Sequence, residues 1–199
     1  MTDRTAKTAH PIAPLMAARH SPRAYASQTL TADQLSSILE AGTWAASCMN
    51  EQPWHFIVAR REETEAFAKL LSLLGAGNQV WAKTAGALVI TVARNIYAGN
   101  GSPNPVAYYD VGQAAANMVL QAASMGLACR QMRGFDVERS RTELGVPVNH
   151  DPVSAIAIGI PASPDVLPPE VAVKEGAPRA RKPISAVAHT GAFDAGYAG

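Results

Sequence analysis

Cysteine is nearly missing from this chain of 199 residues, which holds only Cys48 and Cys129. Two cysteines make no disulfide framework, and the simplest home for such a chain is a reducing cytoplasm. Long hydrophobic runs are missing too. No stretch approaches the roughly 18 apolar residues of a membrane-spanning helix, and the polar opening Met1 to His10 has no apolar segment of the signal-peptide kind. A surplus of charge of one sign is also lacking: 17 Lys and Arg face 16 Asp and Glu, a net charge of +1. Nothing here demands nucleic acid or an anionic membrane, and a small molecule is the expected partner. The five histidines, His10, His20, His55, His150 and His189, stand at no metal-ligand spacing. There is no G-x-S-x-G elbow and no phosphate-binding P-loop. Gly75-Ala76-Gly77 opens like a dinucleotide fingerprint, but Val80 stands where the third glycine belongs, and the segment precedes a strand instead of following one. Cys48, alone among small and apolar neighbours, reads as a small buried hydrophobe more readily than as a nucleophile.

With 48% hydrophobic residues, the chain can build one domain with a real core. Residues 1–10 read as a flexible leader, 11–190 as the domain and 191–199 as a flexible end. Helices are predicted over Pro11–Arg19, from a Thr31–Gln34 capping box through Leu35, Ile38 and Leu39, over Glu62–Leu74, and over Asp136–Leu144. The longest helix is Tyr108–Met125, whose alanines allow close packing. Strands are predicted at Trp54–Ala59, Ala87–Ala93, Leu127–Met132 and Ala155–Ile160, with Asn95–Pro105 as loop. Beyond Pro161, the prolines at 164, 168, 169, 178 and 183 predict an extended tail with no helix of its own, lying on a partner subunit. The fold class is α+β.

Three segments carry chemistry. Arg19-His20-Ser21-Pro22-Arg23 sets two guanidiniums and a hydroxyl within five residues, a ready phosphate grip or else a solvated basic patch. Ser47 through Asn50-Glu51-Gln52-Pro53-Trp54 alternates carboxamides, which an extended backbone would point the same way toward a planar polar ring; the other reading is an ordinary turn. Asn78-Gln79-Val80-Trp81 reads as a helix end followed by loop, with Trp81 as core or lid.

Together these segments resemble the nitroreductase family. Arg19-His20-Ser21-Pro22-Arg23 with Tyr25, then Asn50-Glu51-Gln52-Pro53-Trp54, Asn78, Asp110-Val111-Gly112, Met125-Gly126-Leu127, Gly134-Phe135-Asp136 and Arg179-Ala180-Arg181-Lys182-Pro183 follow its landmarks in order. The resemblance implies a central, mixed but mostly antiparallel sheet flanked by helices, in an intertwined homodimer that exchanges the 161–190 tail. It implies FMN as cofactor and NADH or NADPH as co-substrate. By resemblance, Arg19, Ser21 and Arg181 hold the FMN phosphate, with His20 and Arg179 beside them. Arg23 and Asn78 face the pyrimidine end of the ring, and the Gly134 backbone nears N5 with Arg133 alongside. Ser47, Asn50 and Gln52 come from the other subunit. No separate catalytic acid or base is implied. The implied activity is ping-pong hydride transfer from NAD(P)H to a nitroaromatic, a quinone or another small electrophile. The alternatives are a flavin-destroying or dehalogenating enzyme, a flavin-binding or flavin-sensing module, and a plain structural protein. Two departures stand out: Arg133 where relatives carry an acidic or small residue, and Trp81 where some carry lysine. The compact 95–105 loop implies an open pocket.

Overall fold

The computed structural model describes residues 4–197. Four strands, β1 (Trp54–Arg60), β2 (Ala87–Arg94), β3 (Ala128–Met132) and β4 (His150–Gly159), form one sheet in the order β1-β2-β4-β3. Alternation along the two central strands sorts the core into two layers. Ala87 and Val89 of β2 and Ile156 and Ile158 of β4 face one layer. Leu88, Ile90 and Val92 of β2 and Ala155 and Ala157 of β4 face the other. Thr91 is the polar exception in β2, and its buried hydroxyl is satisfied by Ser154 Oγ at 2.9 Å and by the Ser154 N–H, which donates at 3.1 Å. The expected mixed sheet is corrected in one respect: every pairing among the described residues is antiparallel. The reason is topological, because β4 returns from β3 and slots between β3 and β2, antiparallel to both.

The first layer is closed by α2 (Ala32–Thr43) and α5 (Ala107–Ser124), which cross closely at Gly42. A Cβ at Gly42 would meet Met118 Cγ at 2.8 Å, so this glycine is a close-packing point between the two helices. The capping box forms as expected: Thr31 Oγ1 accepts from Gln34 N at 3.1 Å, and Gln34 Oε1 accepts from Thr31 N at 3.0 Å. The second layer is closed by α3 (Thr64–Leu73) and α4 (Ala76–Ala82), which bring Phe67, Leu70, Leu73 and Trp81 onto the sheet. Two short helices, α1 (Pro14–Ala18) and α6 (Val137–Glu143), complete the body.

Several expectations change here. Asn78–Trp81 is helical within α4, and Trp81 is core, packed 6.3 Å from the Tyr25 ring. It therefore occupies no lid or pocket wall. Cys129 is buried, its thiol pushed up to about 12 by burial, whereas Cys48 is exposed and not the small buried hydrophobe expected. The tail is not fully extended: α7 (Pro169–Glu175) interrupts it. Pro169 at the first helical position lacks only an N–H that would have no partner there, and no further proline falls before residue 178, so the proline count misled. Of the leader, residues 1–3 lie outside the described residues; Ala6 N donates to Ala17 O at 2.9 Å. Of the expected flexible end 191–199, residues 198 and 199 lie outside them, and His189 bridges to Gly196.

Candidate functional site

The two ends of the chain meet beside the last residues of β4. The segment after Arg23 is tied there by an isolated bridge from Tyr25 to Pro161, by Ala26 N to Ile160 O at 2.9 Å, and by Ala162 N to Ala24 O at 3.0 Å. Tyr25 is buried, its hydroxyl donating to Ala157 O at 3.2 Å, and burial holds its pKa well above the usual phenol value. Only glycine fits opposite it, since a Cβ at Gly159 would meet Tyr25 Cδ1 at 2.6 Å. The tail therefore leaves the sheet alongside residues 19–23, and α7 folds back over them. Glu175 at the end of α7 accepts from Arg23 N at 2.8 Å and pairs with the Arg23 guanidinium at 3.3 Å.

This docking creates a cavity of about 190 Å³, lined by Arg4, Arg19, Arg23, Arg130, Arg179 and Arg181. His20, Ser21, Lys174 and Glu175 complete its wall, and Glu175 is the one carboxylate among them. Several of the guanidiniums are held by backbone oxygens. Arg179 donates to Ala17 O and Arg19 O, both at 2.9 Å, and also to Arg4 O. Arg130 donates to Ser21 O at 2.5 Å and lies 5.6 Å from the centre of the Trp81 ring. Arg19 donates to Ser21 Oγ at 3.2 Å.

Burial and, after it, the crowding of like charges act on these groups in the same direction. The pKa of Arg179 is lowered, first by burial and then by Arg19, Arg181 and Arg4. That of Arg130 is lowered by burial and by Arg23. His20 is held below its usual value by burial, with Arg4 and Arg179 acting the same way against a contact to Ala18 O. Cations gathered at such cost favour an anionic occupant, and a forked set of guanidiniums with a hydroxyl suits a phosphate monoester.

The structure thus joins Arg19, His20, Ser21, Arg23, Arg179 and Arg181 around one cavity. Arg181 lies there with Arg19 of its own chain, so their convergence needs no second subunit. Arg23, expected beside Asn78, is paired with Glu175 instead. Asn78 and Gly134 form a second group: Asn78 Nδ2 donates to Gly134 O at 2.9 Å, and Gly75 N donates to the same oxygen at 2.9 Å. A Cβ at Gly134 would meet Asn78 Nδ2 at 2.8 Å. The two groups are linked through β3, which carries Arg130 and runs on to Gly134, about 14 Å away at full extension. Arg133 is exposed, its guanidinium 5.5 Å from the Phe135 ring centre.

Ser47, Asn50 and Gln52 lie elsewhere, in the turn leading into β1. The alternating carboxamides do not share an extended backbone, as the sequence had suggested. Residues 48–50 form a 3₁₀ turn, and Met49, Asn50 and Gln52 all take left-handed φ of 50–55°. Such conformations are costly away from glycine and persist only where neighbours enforce them. Gln52 N donates to Ser47 Oγ at 3.0 Å, Cys48 N to Asp110 Oδ2 at 3.2 Å, and Arg94 pairs with Glu51 at 2.5 Å. From β1 to β3 is three strand spacings, about 14 Å, and the strand starts near Trp54 and Asp151 lie some six residues, about 20 Å, from the Arg130–Ala157 pair. One chain therefore does not bring its own carboxamide turn to its arginine cavity. Sequence reading missed Arg4, Arg130, Lys174 and Glu175. A lone cation on strand β3 was the available signal for Arg130; for Glu175, on a helix not anticipated, there was none.

A family model described as the nitroreductase family matches residues 16–160. The chain belongs to the nitroreductase family. The matched stretch contains Arg19 to Arg23, the 47–52 turn, Asn78 and Gly134, and leaves out the tail arginines. A solved structure described as an oxidoreductase containing FMN superposes with a TM-score of 0.91 at 30% identity, covering 98% of this chain and 99% of that one, tail included. An uncharacterised 15.4 kDa protein of Mycolicibacterium smegmatis is 34% identical over 146 residues, 68% of this chain and 95% of that protein. An Archaeoglobus fulgidus protein named "Putative NADH dehydrogenase/NAD(P)H nitroreductase" is 28% identical over 147 residues, 72% of this chain and 81% of that protein. Among the described residues, no three metal-ligating side chains cluster, and no helix is long and apolar enough to cross a membrane.

Proposed function

We propose that this chain binds FMN and acts as an oxidoreductase that takes hydride from NADH or NADPH and passes it to a small acceptor such as a nitroaromatic or a quinone. The observation that carries this reading is the convergence of Arg19, Arg179 and Arg181, from opposite ends of the polypeptide, on one cavity whose lining has a single carboxylate. The donor set fits the phosphate of a mononucleotide, and the relative with the 0.91 superposition is described as containing FMN.

In this reading Arg19 and Arg181 grip the phosphate with charge-assisted hydrogen bonds and Ser21 adds a neutral donor. Arg179, its guanidinium occupied by backbone oxygens, braces Arg19. His20, its pKa held below the usual histidine value by burial, lines the same cavity. Asn78 fixes the Gly134 carbonyl, which leaves the Gly134 N–H to border the ring, with Arg133 beside it. When bound, FMN supplies the group that accepts and donates hydride. The chain's contribution is orientation and charge, which is why no acid–base pair is invoked.

Ser47, Asn50 and Gln52 are proposed to serve the site of a second copy, since their own chain keeps them far from its arginines. A homodimer with two-fold symmetry would then build two equivalent sites. The exposed apolar side chains further along the tail, Val187, Phe193 and Tyr197, suit a position against that copy. The experiment is direct: the purified protein should be yellow, elute as a dimer, and bleach anaerobically on adding NADH or NADPH, then regain colour with a nitroaromatic or a quinone. A colourless protein that FMN does not stabilise against heat would overturn the reading.

A further inference from the structure

A second, larger cavity opens next to the arginine cavity. It measures about 630 Å³ and shares Arg19, Arg179 and Arg181 with the first. Its other walls come from the leader and the tail. Lys7, His10 and Lys182 add cationic or donor groups, Ile12, Met16 and Ile184 add an apolar surface, and no carboxylate lines it. Neither Lys7 nor Lys182 forms an ion pair among the described residues.

The charge is out of proportion to one phosphate. Six arginines and Lys174 line the first cavity, and Lys7 and Lys182 join them in the second, so nine of the chain's 17 Lys and Arg crowd one end of a molecule with a net charge of +1. Against them stands Glu175 alone. A phosphate monoester brings a charge of about −2. Once Arg19 and Arg181 are satisfied by a mononucleotide, Lys7, His10 and Lys182 still face a cavity of a size that suits a small ligand. The juxtaposition of these groups with an apolar wall matches a phosphorylated adenosine, its phosphate on the lysines and its base on Ile12, Met16 and Ile184.

We propose that this leader–tail cavity receives the 2′-phosphoadenosine end of NADPH, and that Lys7 and Lys182 thereby select NADPH over NADH. The proposal rests on the reading of the chain as an oxidoreductase fed by a reduced nicotinamide. It gives the leader a role: Lys7 is held at the cavity by the Ala6–Ala17 backbone bond.

The test uses the purified full-length protein with its bound flavin, and two probes, adenosine 2′,5′-bisphosphate and 5′-AMP, titrated by calorimetry. The bisphosphate should bind at least about tenfold more tightly, the effect of a charge-assisted contact made by one probe and not the other. In Lys7→Ala/Lys182→Ala that difference should vanish while the flavin absorbance and circular dichroism stay as in the parent. The ratio of kcat/KM for NADPH over NADH should fall by the same factor, through KM. Equal binding of the two probes, or a preference that survives the double substitution, overturns the proposal and leaves the oxidoreductase reading standing. Selective binding of the bisphosphate without bleaching by either nicotinamide supports the cavity assignment and sinks the oxidoreductase reading instead.

Discussion

The arginine cavity and the carboxamide turn solve opposite problems. At the cavity the backbone is ordinary and the strain is electrostatic: like charges are packed together, and the pKa of Arg179 falls, through burial first and then through its neighbours. At the turn the charges are paired, Arg94 with Glu51 at 2.5 Å, and the strain lies in the backbone, where Met49, Asn50 and Gln52 are left-handed without being glycine. Each is a local cost that the rest of the fold sustains, and each is the kind of cost found where a ligand is to be bound. One awaits negative charge and the other presents polar groups on a fixed scaffold. They lie at opposite edges of one sheet, so a single site using both requires two chains.

The largest effect should come from removing the cavity's charge. Arg19→Ala/Arg181→Ala should weaken FMN binding by about a hundredfold or more, two charge-assisted contacts being lost, while circular dichroism reports an intact fold. Mixing then tests the comparison itself. Subunits carrying this double substitution are refolded with subunits carrying Asn50→Ala/Gln52→Ala. If cavity and turn belong to different chains of one site, half the dimers are mixed and each holds one intact site, so about a quarter of the parental flavin returns. No return in an ensemble shown to contain mixed dimers would mean that each chain builds its site alone, against the separation of the two regions across the sheet.

Next in size is the anchor that brings the chain ends together. Gly159→Ala forces a Cβ to 2.6 Å from the Tyr25 ring, whose edge is held by the hydroxyl bond to Ala157 O. Relief requires moving residues 19–26 away from the tail. The expected outcome is a loss of about 1–3 kcal/mol of stability, as for overpacking elsewhere, together with weaker FMN binding. Denaturant unfolding and flavin titration read the two separately. Parental affinity in a destabilised variant would show that the cavity does not depend on this close approach.

The other region has its counterpart in Arg94→Met, which removes the guanidinium that grips both the Glu51 carboxylate and the Glu51 backbone carbonyl, the latter at 3.1 Å. The turn should relax out of its left-handed conformations, and FMN binding should weaken by about tenfold, less than in the cavity variant because no phosphate contact is lost. A crystal structure or amide exchange over residues 47–52 checks the cause. Unchanged exchange there would leave Arg94 with no part in holding the turn.

How much of this could be read beforehand differs between the two regions. The strands and main helices were legible because their signal is local: a continuous apolar run rich in β-branched residues in β2, three-to-four-residue recurrence in α5, a capping box at Thr31. Arg19, Ser21 and Arg23 were legible as residue types suited to phosphate, and Arg181 joined them only through the resemblance. Their meeting was not legible from composition or periodicity, because it depends on β4 threading between β2 and β3 and on Gly159 admitting Tyr25, two facts of tertiary structure. The shape of the 47–52 turn was not legible at all. A left-handed run normally announces itself by glycine, and here none of its three left-handed residues is one; the conformation is imposed by Asp110, Arg94 and Ser47. Trp81 shows the same limit, since only packing against Tyr25 and Arg130 distinguishes core from lid.

The smallest expected effect separates the regions by pH. His20 at the cavity, and His55 and His150 near Arg94, are all held below the usual histidine value, by burial first in each case. His55 and His150 stack edge to face at 5.0 Å, and Arg94 opposes protonation of both. A histidine whose folded-state pKa is depressed binds fewer protons folded than unfolded. Its contribution to stability is therefore complete above the unfolded value of about 6.5 and is lost as pH falls below it. Flavin-free protein should melt lower at pH 5.5 than at pH 7.5. A phosphate-bearing ligand reverses the sign of the field at His20 but not at the other two. Adding FMN should thus recover only the part of the acid loss that His20→Gln also removes, on the order of 2 °C in Tm for a chain of this length. His55→Gln/His150→Gln should remove a different part, one that FMN leaves in place. If FMN abolishes the whole acid loss in the parent, its phosphate acts on His55 and His150 as well as on His20, and the electrostatic separation of the two regions fails.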